Sequence, residues 1–438
     1  MTRGAHNRQP DFTRLWFGQT VSQVGTQITL LALPLLAITT LHATPFQVGL
    51  LAASETLPFL LVGLPAGVWV DRARRRPLLI LTDLGRAVLL ATIPVAKALG
   101  GLTLGQLFVV AFGTGTLTVL FDVAYLAYVP SVVDADALLK ANSRLEISRS
   151  GAQLVGPGLG GALVEAVTAP FAILVDSLSF VVSAISLLTI RVPDTPPDAS
   201  GEDRPRMRTA IGEGLRHVIQ HSVLVRIAAS TSTFNFFSAI GMAVFLLYSV
   251  RSLGLSAATV GLLFSIGAGG FLVGAATSEW VGRRLGVGRT MAVGALTQGL
   301  PFVLVPLAPR SNPIPFFVAA IVLESAGNPI FNVTQISLRQ TLTPARLQGR
   351  MNASMRFLIW GTLPVGSLVG GALGSWVGLH PTLWVAAVGT ALSALPVVIG
   401  PLRRMRAMPT GPVTPDPMRA GGTIVIRPEP FPEDALDV

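Results

Sequence analysis

Residues 67–77 read GVWVDRARRRP: an Asp set among Arg72, Arg74, Arg75 and Arg76, straight after an apolar run almost without charge. A run of about twenty apolar residues is long enough to cross a hydrocarbon core of roughly 30 Å as a helix. Its abrupt end in fixed charge marks where such a helix leaves the bilayer. The same alternation recurs along the chain, with apolar segments near 14–40, 47–70, 77–98, 102–128, 150–168, 170–190, 223–248, 257–281, 289–308, 314–338, 355–377 and 382–402. They predict an all-α polytopic membrane protein with twelve transmembrane helices.

Composition agrees with a bilayer as solvent. Of the 438 residues, 51% are hydrophobic and 12% charged, against about 25% charged in soluble domains. The net charge of +10 does not point to nucleic acid, because the basic residues sit in short clusters between apolar runs, as membrane topology requires. The N-terminus, the stretch at 72–76, the connections holding Lys140, Arg144 and Arg149, then Arg191 to Arg216, then Arg283, Arg284 and Arg289, then Arg339, Arg346 and Arg350, and the tail at Arg403, Arg404 and Arg406 are basic. The alternate connections hold only Lys97, Arg251 and Arg310. This bias predicts both termini on the cytoplasmic side of the cell membrane. The first span follows Arg3, Arg8 and Arg14, but no small-x-small cleavage site follows it, so it is expected to stay uncleaved. Cysteine is absent, which excludes disulfides, thiolate nucleophiles and cysteine-held metals.

An internal repeat appears when residue n is set against n+210. KANSRLEISRSGAQLVGPGLGGAL (140–163) falls on RMNASMRFLIWGTLPVGSLVGGAL (350–373), pairing Asn142 with Asn352 and Gly156 with Gly366. With a two-residue slip, VGLL at 48–51 meets VGLL at 260–263. The simplest reading is two six-helix halves at 14–190 and 223–402, preceded by a short N-terminus (1–13) and joined by a polar, Pro-rich linker (191–222). Within that linker TAIGEGLRHVIQH (209–221) predicts an amphipathic surface helix, and the Pro-rich tail (403–438) is expected to be disordered.

At this point the chain resembles the Major Facilitator Superfamily, whose second and third helices are joined by Gly-x-x-x-Asp-Arg-x-Gly-Arg-Arg. Here that motif stands as Gly67, Asp71, Arg72, Arg75 and Arg76, with Arg74 where the family usually has Gly. The resemblance covers nearly all of the chain up to about Leu402 and implies two pseudo-symmetric halves with a substrate site at their interface. An Asp beside several Arg at helix ends can form charge-assisted bonds that exist in one conformation and break in the other. Asp83 and Arg86, near the start of the third helix, are expected to extend this network. The competing reading is that the arginines only set orientation and bind anionic headgroups. In the second half WVGRRLGVGR (280–289) parallels the motif with Gly282 in place of the acid.

A second motif, GPGLGG at 156–161, is similar to the antiporter signature of drug exporters in the same superfamily. Gly156, Gly160 and Gly161 permit close helix packing, and Pro157 removes a backbone donor. A purely structural packing role explains the glycines equally. The same letters fit a dinucleotide fingerprint, but no strand precedes them. The wording of FDVAYLAYVPSVV, LLKANSRLE and GEGLRHVIQH resembles the branch containing the enterobactin exporter and macrolide efflux proteins. That implies export of a small organic molecule.

Ionisable groups inside spans are costly and therefore candidate functional sites. Glu55, Asp122, Asp176 and Glu324 qualify, with Asp122 and Glu324 foremost as sites for a proton or a cationic substrate. Thr114, Thr118 and Asp122 share one helix face, and Glu324, Asn328 and Asn332 are their n+210 counterparts. Gln19, Gln23, Gln27 and Asn235 add polar positions to a candidate cavity, although such groups also serve as hydrogen-bonded glue between helices. Glu279 with Arg283 and Glu146 with Arg149 are spaced to pair along helix surfaces.

Other classes fit poorly. The only lysines, Lys97 and Lys140, follow Ala96 and Leu139, so no phosphate-binding Gly-Lys pair exists. No Gly-x-Ser-x-Gly or His-Glu-x-x-His occurs, and His217 with His221 offers too few ligands for zinc. The chain is thus expected to be no enzyme and to need no cofactor, metal or nucleic acid. Its expected partners are a small organic substrate, protons and the lipid bilayer around a monomer. Import, uniport and a non-transporting receptor or scaffold remain the alternatives.

Overall fold

The computed structural model describes residues 9–192 and 207–408, so most of the polar linker and of the expected tail lie outside the described residues. The described chain is helical, with seventeen α-helices in order. The first half holds α1 (Gln9–Thr39), α2 (Pro45–Leu61), α3 (Gly63–Arg72), α4 (Arg75–Ala98), α5 (Leu104–Tyr128), α6 (Leu138–Val167) and α7 (Ala169–Leu188). A surface helix α8 (Met207–Gln220) leads into α9 (Ser222–Leu247), α10 (Ala257–Leu285), α11 (Val287–Gly299), α12 (Leu304–Leu307) and α13 (Ile314–Leu342). The chain ends in α14 (Ala345–Trp360), α15 (Thr362–Trp376), α16 (Leu379–Leu392) and α17 (Leu395–Val398).

Ten helical runs are long and apolar enough to cross a membrane. The segments expected at 47–70 and 150–168 are helical too, but differ from the simple span. The first breaks at Val62 into α2 and α3, where Pro65 in the first turn of α3 has no N–H for the Leu61 carbonyl and crowds the preceding turn. The second begins much earlier, at Leu138, and carries Lys140, Arg144, Glu146 and Arg149 on the same helix as the apolar run. Helix starts follow ordinary capping chemistry. Thr44 caps α2 and Ser256 caps α10, each side chain accepting the N–H three residues on, Gln47 and Thr259. These are equivalent positions of the repeat.

Within the first half α1 packs on α6 and α7, and α4 on α5 and α7; within the second, α9 packs on α15 and α16, and α13 on α10 and α11. The halves meet where α2 crosses α15 and α6 crosses α10. Both crossings are made by the repeated glycines. A Cβ added to Gly49 would lie 2.8 Å from the Cα of Gly371, and one added to Gly261 would lie 3.1 Å from the Cα of Gly161. So the two VGLL glycines sit against the two GGAL glycines, once at each crossing. The neighbouring Gly160 packs on the backbone of Ile28 and Gly370 on that of Ile240, tying each fifth-type helix to the first-type helix of its own half.

These contacts all lie toward the end of the bundle that is poor in charge. There Phe46 N–H also donates to Ser375 Oγ at 2.9 Å, and Arg251 donates to the Ile38 carbonyl at 2.9 Å. Toward the basic end a Cβ at Gly67, Gly151 or Gly282 would meet nothing within 4 Å. A cavity of about 250 Å³ opens there between α2 and α14. The halves are joined by close backbone at one end and border a cavity toward the other, where the Phe59 and Trp360 rings still meet at 5.3 Å.

Valine at Gly49 or Gly371 forces a branched side chain into facing backbone. Overpacking of this kind costs about 1–3 kcal/mol, here charged to the closed crossing. With no native cysteine in the chain, spin labels on cysteines placed at the exposed His42 and Val377 should report a longer distance in either variant than in the parent. An unchanged distance would mean that the glycines do not hold this end shut.

Candidate functional site

The charged stretch at the basic end divides its work. Arg75 Nη1 donates to the Ala127 carbonyl at 2.9 Å, while Arg76 donates through Nε to Leu187 at 2.9 Å and through Nη2 to Leu188 at 2.6 Å. Those carbonyls close α5 and α7, so the two arginines complement the negative ends of two helix dipoles within one half. Arg72 and Arg74 are exposed, and the side chain of Asp71 lies outside the described residues.

Asp83 and Arg86 lie deeper than the motif and do not join it. Their paired side chains are 0% and 5% exposed. The Arg86 guanidinium is held between two rings, 4.4 Å from the centroid of Phe121 and 4.1 Å from that of Phe180, and reaches Thr118 Oγ1 at 3.4 Å. This pair ties α4 to α5 and α7 inside the first half. Asp176 is buried nearby, accepting from Ser179 Oγ at 3.0 Å where α7 packs on Gly25 of α1. Gln19 Nε2 donates to Ser183 Oγ at 3.5 Å, Gln27 packs on Gly156, and Asn235 Nδ2 donates to the Ile359 carbonyl at 3.2 Å. Gln23 Oε1 is buried without a hydrogen bond. The antiporter-like stretch is packed on two sides, Gly156 and Gly160 on α1 and Pro157 with Gly161 on α10.

Three carboxylates stand differently. Asp122 is exposed on α5 and feels the guanidinium groups of Arg86, Arg356 and Arg149. Glu55 and Glu324 are half-buried on α2 and α13, and among the described residues their carboxylates make no ion pair or hydrogen bond. From Asn328 a directed chain of hydrogen bonds runs along α13. Asn332 donates to Asn328 at 2.7 Å, Gln335 to Asn332 at 2.9 Å, and Arg339 to Gln335 at 3.2 Å. Arg339 also donates to Asn352 Oδ1 on α14 at 2.8 Å.

Sequence reasoning missed two of these groups. Arg339 reads as a connection residue yet is a buried part of α13. Arg356 is the lone charge in the span expected at 355–377, which was the available signal. It lines the cavity together with Asn352, Phe357 and Trp360 of α14 and Phe59 and Leu60 of α2. The surface pairs are present, Arg283 with Glu279 at 3.3 Å and Arg149 with Glu146 at 3.9 Å. The ring centroids of His217 and His221 are 6.2 Å apart, and His221 Nδ1 caps α9 by accepting Val223 N–H at 3.3 Å. Among the described residues no group of three metal-binding side chains occurs.

Comparison with known proteins adds family context. The model of a family described as transmembrane secretion effector matches residues 3–420. The multidrug efflux pump Tap of Mycolicibacterium fortuitum is 27% identical over 412 residues, covering 90% of this chain and 95% of that protein. The enterobactin exporter EntS of Salmonella typhi is 24% identical over 413 residues, covering 91% and 95%. Among solved structures, a POT family transporter in complex with 5-aminolevulinic acid superposes with a TM-score of 0.70 at 14% identity, covering 91% of this chain and 97% of that one.

Two outcomes follow from the buried charges and the histidine cap. Removing one partner of a buried pair leaves an uncompensated charge, so Arg86→Met or Asp83→Leu alone should lower stability by about 3–5 kcal/mol, and the double variant should recover most of it. Thermal unfolding in detergent reads this as a double-mutant cycle. Burial, then the neighbouring His217, pushes the His221 pKa down, so the fold favours the neutral ring that caps α9. That stabilisation is present above the usual histidine value of about 6.5 and fades as pH falls through the lower folded value. Hydrogen exchange at Val223 should accelerate on acidification in the parent but much less in a His221→Ser variant.

Proposed function

The chain belongs to the transmembrane secretion effector family of membrane transporters, and on that premise we propose that it exports a small organic molecule by proton antiport, with alternating access between its halves. The observation that carries this reading is the one-sided closure: glycine crossings seal the charge-poor end while a cavity opens between the halves at the basic end. Basic connections face the cytoplasm by the positive-inside rule, so the cavity is open to cytoplasmic solute. The enterobactin exporter and the multidrug efflux pump among the relatives favour the outward direction.

Proton coupling rests on Glu55 and Glu324, carboxylates inside the bundle with no fixed counter-charge, and on Asp122, whose nearby arginines sit on three other helices. A carboxylate without a fixed partner in a membrane interior is a costly group to keep charged and a natural place to load a proton. One charge moving down about 100 mV releases about 2.3 kcal/mol. At about 1.4 kcal/mol per tenfold this sustains roughly a 50-fold substrate gradient. Asp83, Arg86 and Asp176, closed inside the first half, serve its integrity.

Everted membrane vesicles energised by respiration test the reading, with siderophores, macrolides, aromatic acids and lipophilic cations added one at a time. A transported compound should collapse the pH gradient only when this protein is present. The response should fall at least about tenfold in Glu324→Gln or Asp122→Asn, as loss of an essential proton site requires. A tracer that still moves without any proton response would remove the antiport step.

A further inference from the structure

The cavity between α2 and α14 has a chemical sign. Two of its lining side chains are polar, Arg356 and Asn352. Arg356 is exposed, makes no hydrogen bond or ion pair among the described residues, and lies 5.3 Å from the centroid of the Trp360 ring, which orients its guanidinium. Trp360 in turn lies 5.3 Å from the Phe59 ring across the gap between the halves. Asn352 is oriented by buried Arg339, which donates to Oδ1 at 2.8 Å. Its NH₂ group makes no hydrogen bond among the described residues. Both polar side chains therefore offer unspent donors, and the walls between them are aromatic.

We propose that this cavity is an anion-selective substrate subsite, taking the acidic, planar end of an aromatic organic acid. Arg356 and the Asn352 amide hold the acid group, and the Trp360 and Phe59 rings flank the ring that carries it. The volume of about 250 Å³ is just under that of a drug-sized pocket, roughly 300–1,000 Å³, so the subsite holds one ring system rather than a whole large molecule. Asp122, in the field of Arg356, opposes the anion and sets how tightly it is held. An anionic lipid phosphate shares this chemistry, but the lining comes from both halves and includes flat aromatic walls, which suits a solute. The inference rests on the export reading above and specifies its substrate class.

The test is equilibrium binding of 2-naphthoate, 2-naphthamide and 2-naphthylmethylammonium to the full-length protein in phosphatidylcholine nanodiscs. Naphthoate should bind at least about tenfold more tightly than the amide, the scale of a charge-assisted hydrogen bond, and the cation should bind worst. Arg356→Gln should erase the preference, Asp122→Asn should tighten the anion, and Asn352→Asp, which keeps the acceptor for Arg339 but removes the free donor, should weaken it. Equal binding of acid and amide by the parent, or an unchanged preference in folded Arg356→Gln, overturns the proposal. So does loss of naphthoate binding once phosphatidylglycerol is included, which assigns the site to lipid. In everted vesicles, gradient collapse by lipophilic cations but no aromatic acid keeps export and removes anion selectivity. No collapse by any compound overturns export itself and, with it, the role of a bound anion as substrate.

Discussion

Two glycine-on-glycine crossings hold the halves of this molecule together, Gly49 on Gly371 and Gly161 on Gly261. Between helices in lipid there is little hydrophobic drive, since the tails are as apolar as leucine, and association depends on how closely backbones approach. Only a residue without a Cβ lets the chains meet at the distances seen here. The neighbouring glycines Gly160 and Gly370 bind each crossing helix to its own half through Ile28 and Ile240. A crossing helix is thus gripped on two sides within one turn. A contact made of close backbone and few side chains can also part without leaving large apolar groups exposed to water, which a seal that must open requires.

That arrangement sorts the polar groups. Inside the first half the buried charges have fixed polar partners: Arg86 pairs with Asp83 between two aromatic rings, and Asp176 accepts a hydrogen bond from Ser179. Such groups are costly to disturb, because removing either partner strands the other. Elsewhere the charges are left open. Among the described residues Glu55, Glu324 and Arg356 have no ion pair, and the chain of side chains from Asn328 to Arg339 aligns all its donors one way along α13. The contrast separates scaffold from working surface more sharply than residue type does.

Much of this was legible in the sequence. Ten of the twelve expected spans and the helix at Met207–Gln220 are carried by hydropathy period, and the repeat by letters that recur at fixed offset. Both halves of each crossing, VGLL and GGAL, stood out as repeated words. What one-dimensional spacing does not contain is the rotation of one helix against another, and there the reading diverged. Asp83 and Arg86, close in sequence to the arginine motif, turn inward onto Phe121 and Phe180 because α4 presents that face to α5 and α7. Arg339 falls in an apparent connection because an arginine ends a hydropathy run, yet amide partners one turn away and on α14 let the helix continue through it. The break at Val62 follows from Pro65, a local signal overridden by the length of the apolar run around it.

The repeat also shows how a nearly symmetric scaffold acquires a one-signed site. At the offset of 210, Arg356 corresponds to Glu146 and Ile359 to Arg149. In the first half the acid at this position has its own basic neighbour, with Arg149 and Glu146 3.9 Å apart. In the second half an arginine replaces the acid and an isoleucine replaces the base, so the charge has nothing on its own helix to answer it. Trp360 stacks beneath it, and the facing helix supplies Phe59 and Leu60 but no carboxylate to the cavity wall. Two substitutions between equivalent positions thus convert a self-neutralising surface pair into a cation without a carboxylate on its own helix, answered only at a distance by Asp122 of α5. A cation held by an aromatic ring is a binding element for whatever acid enters.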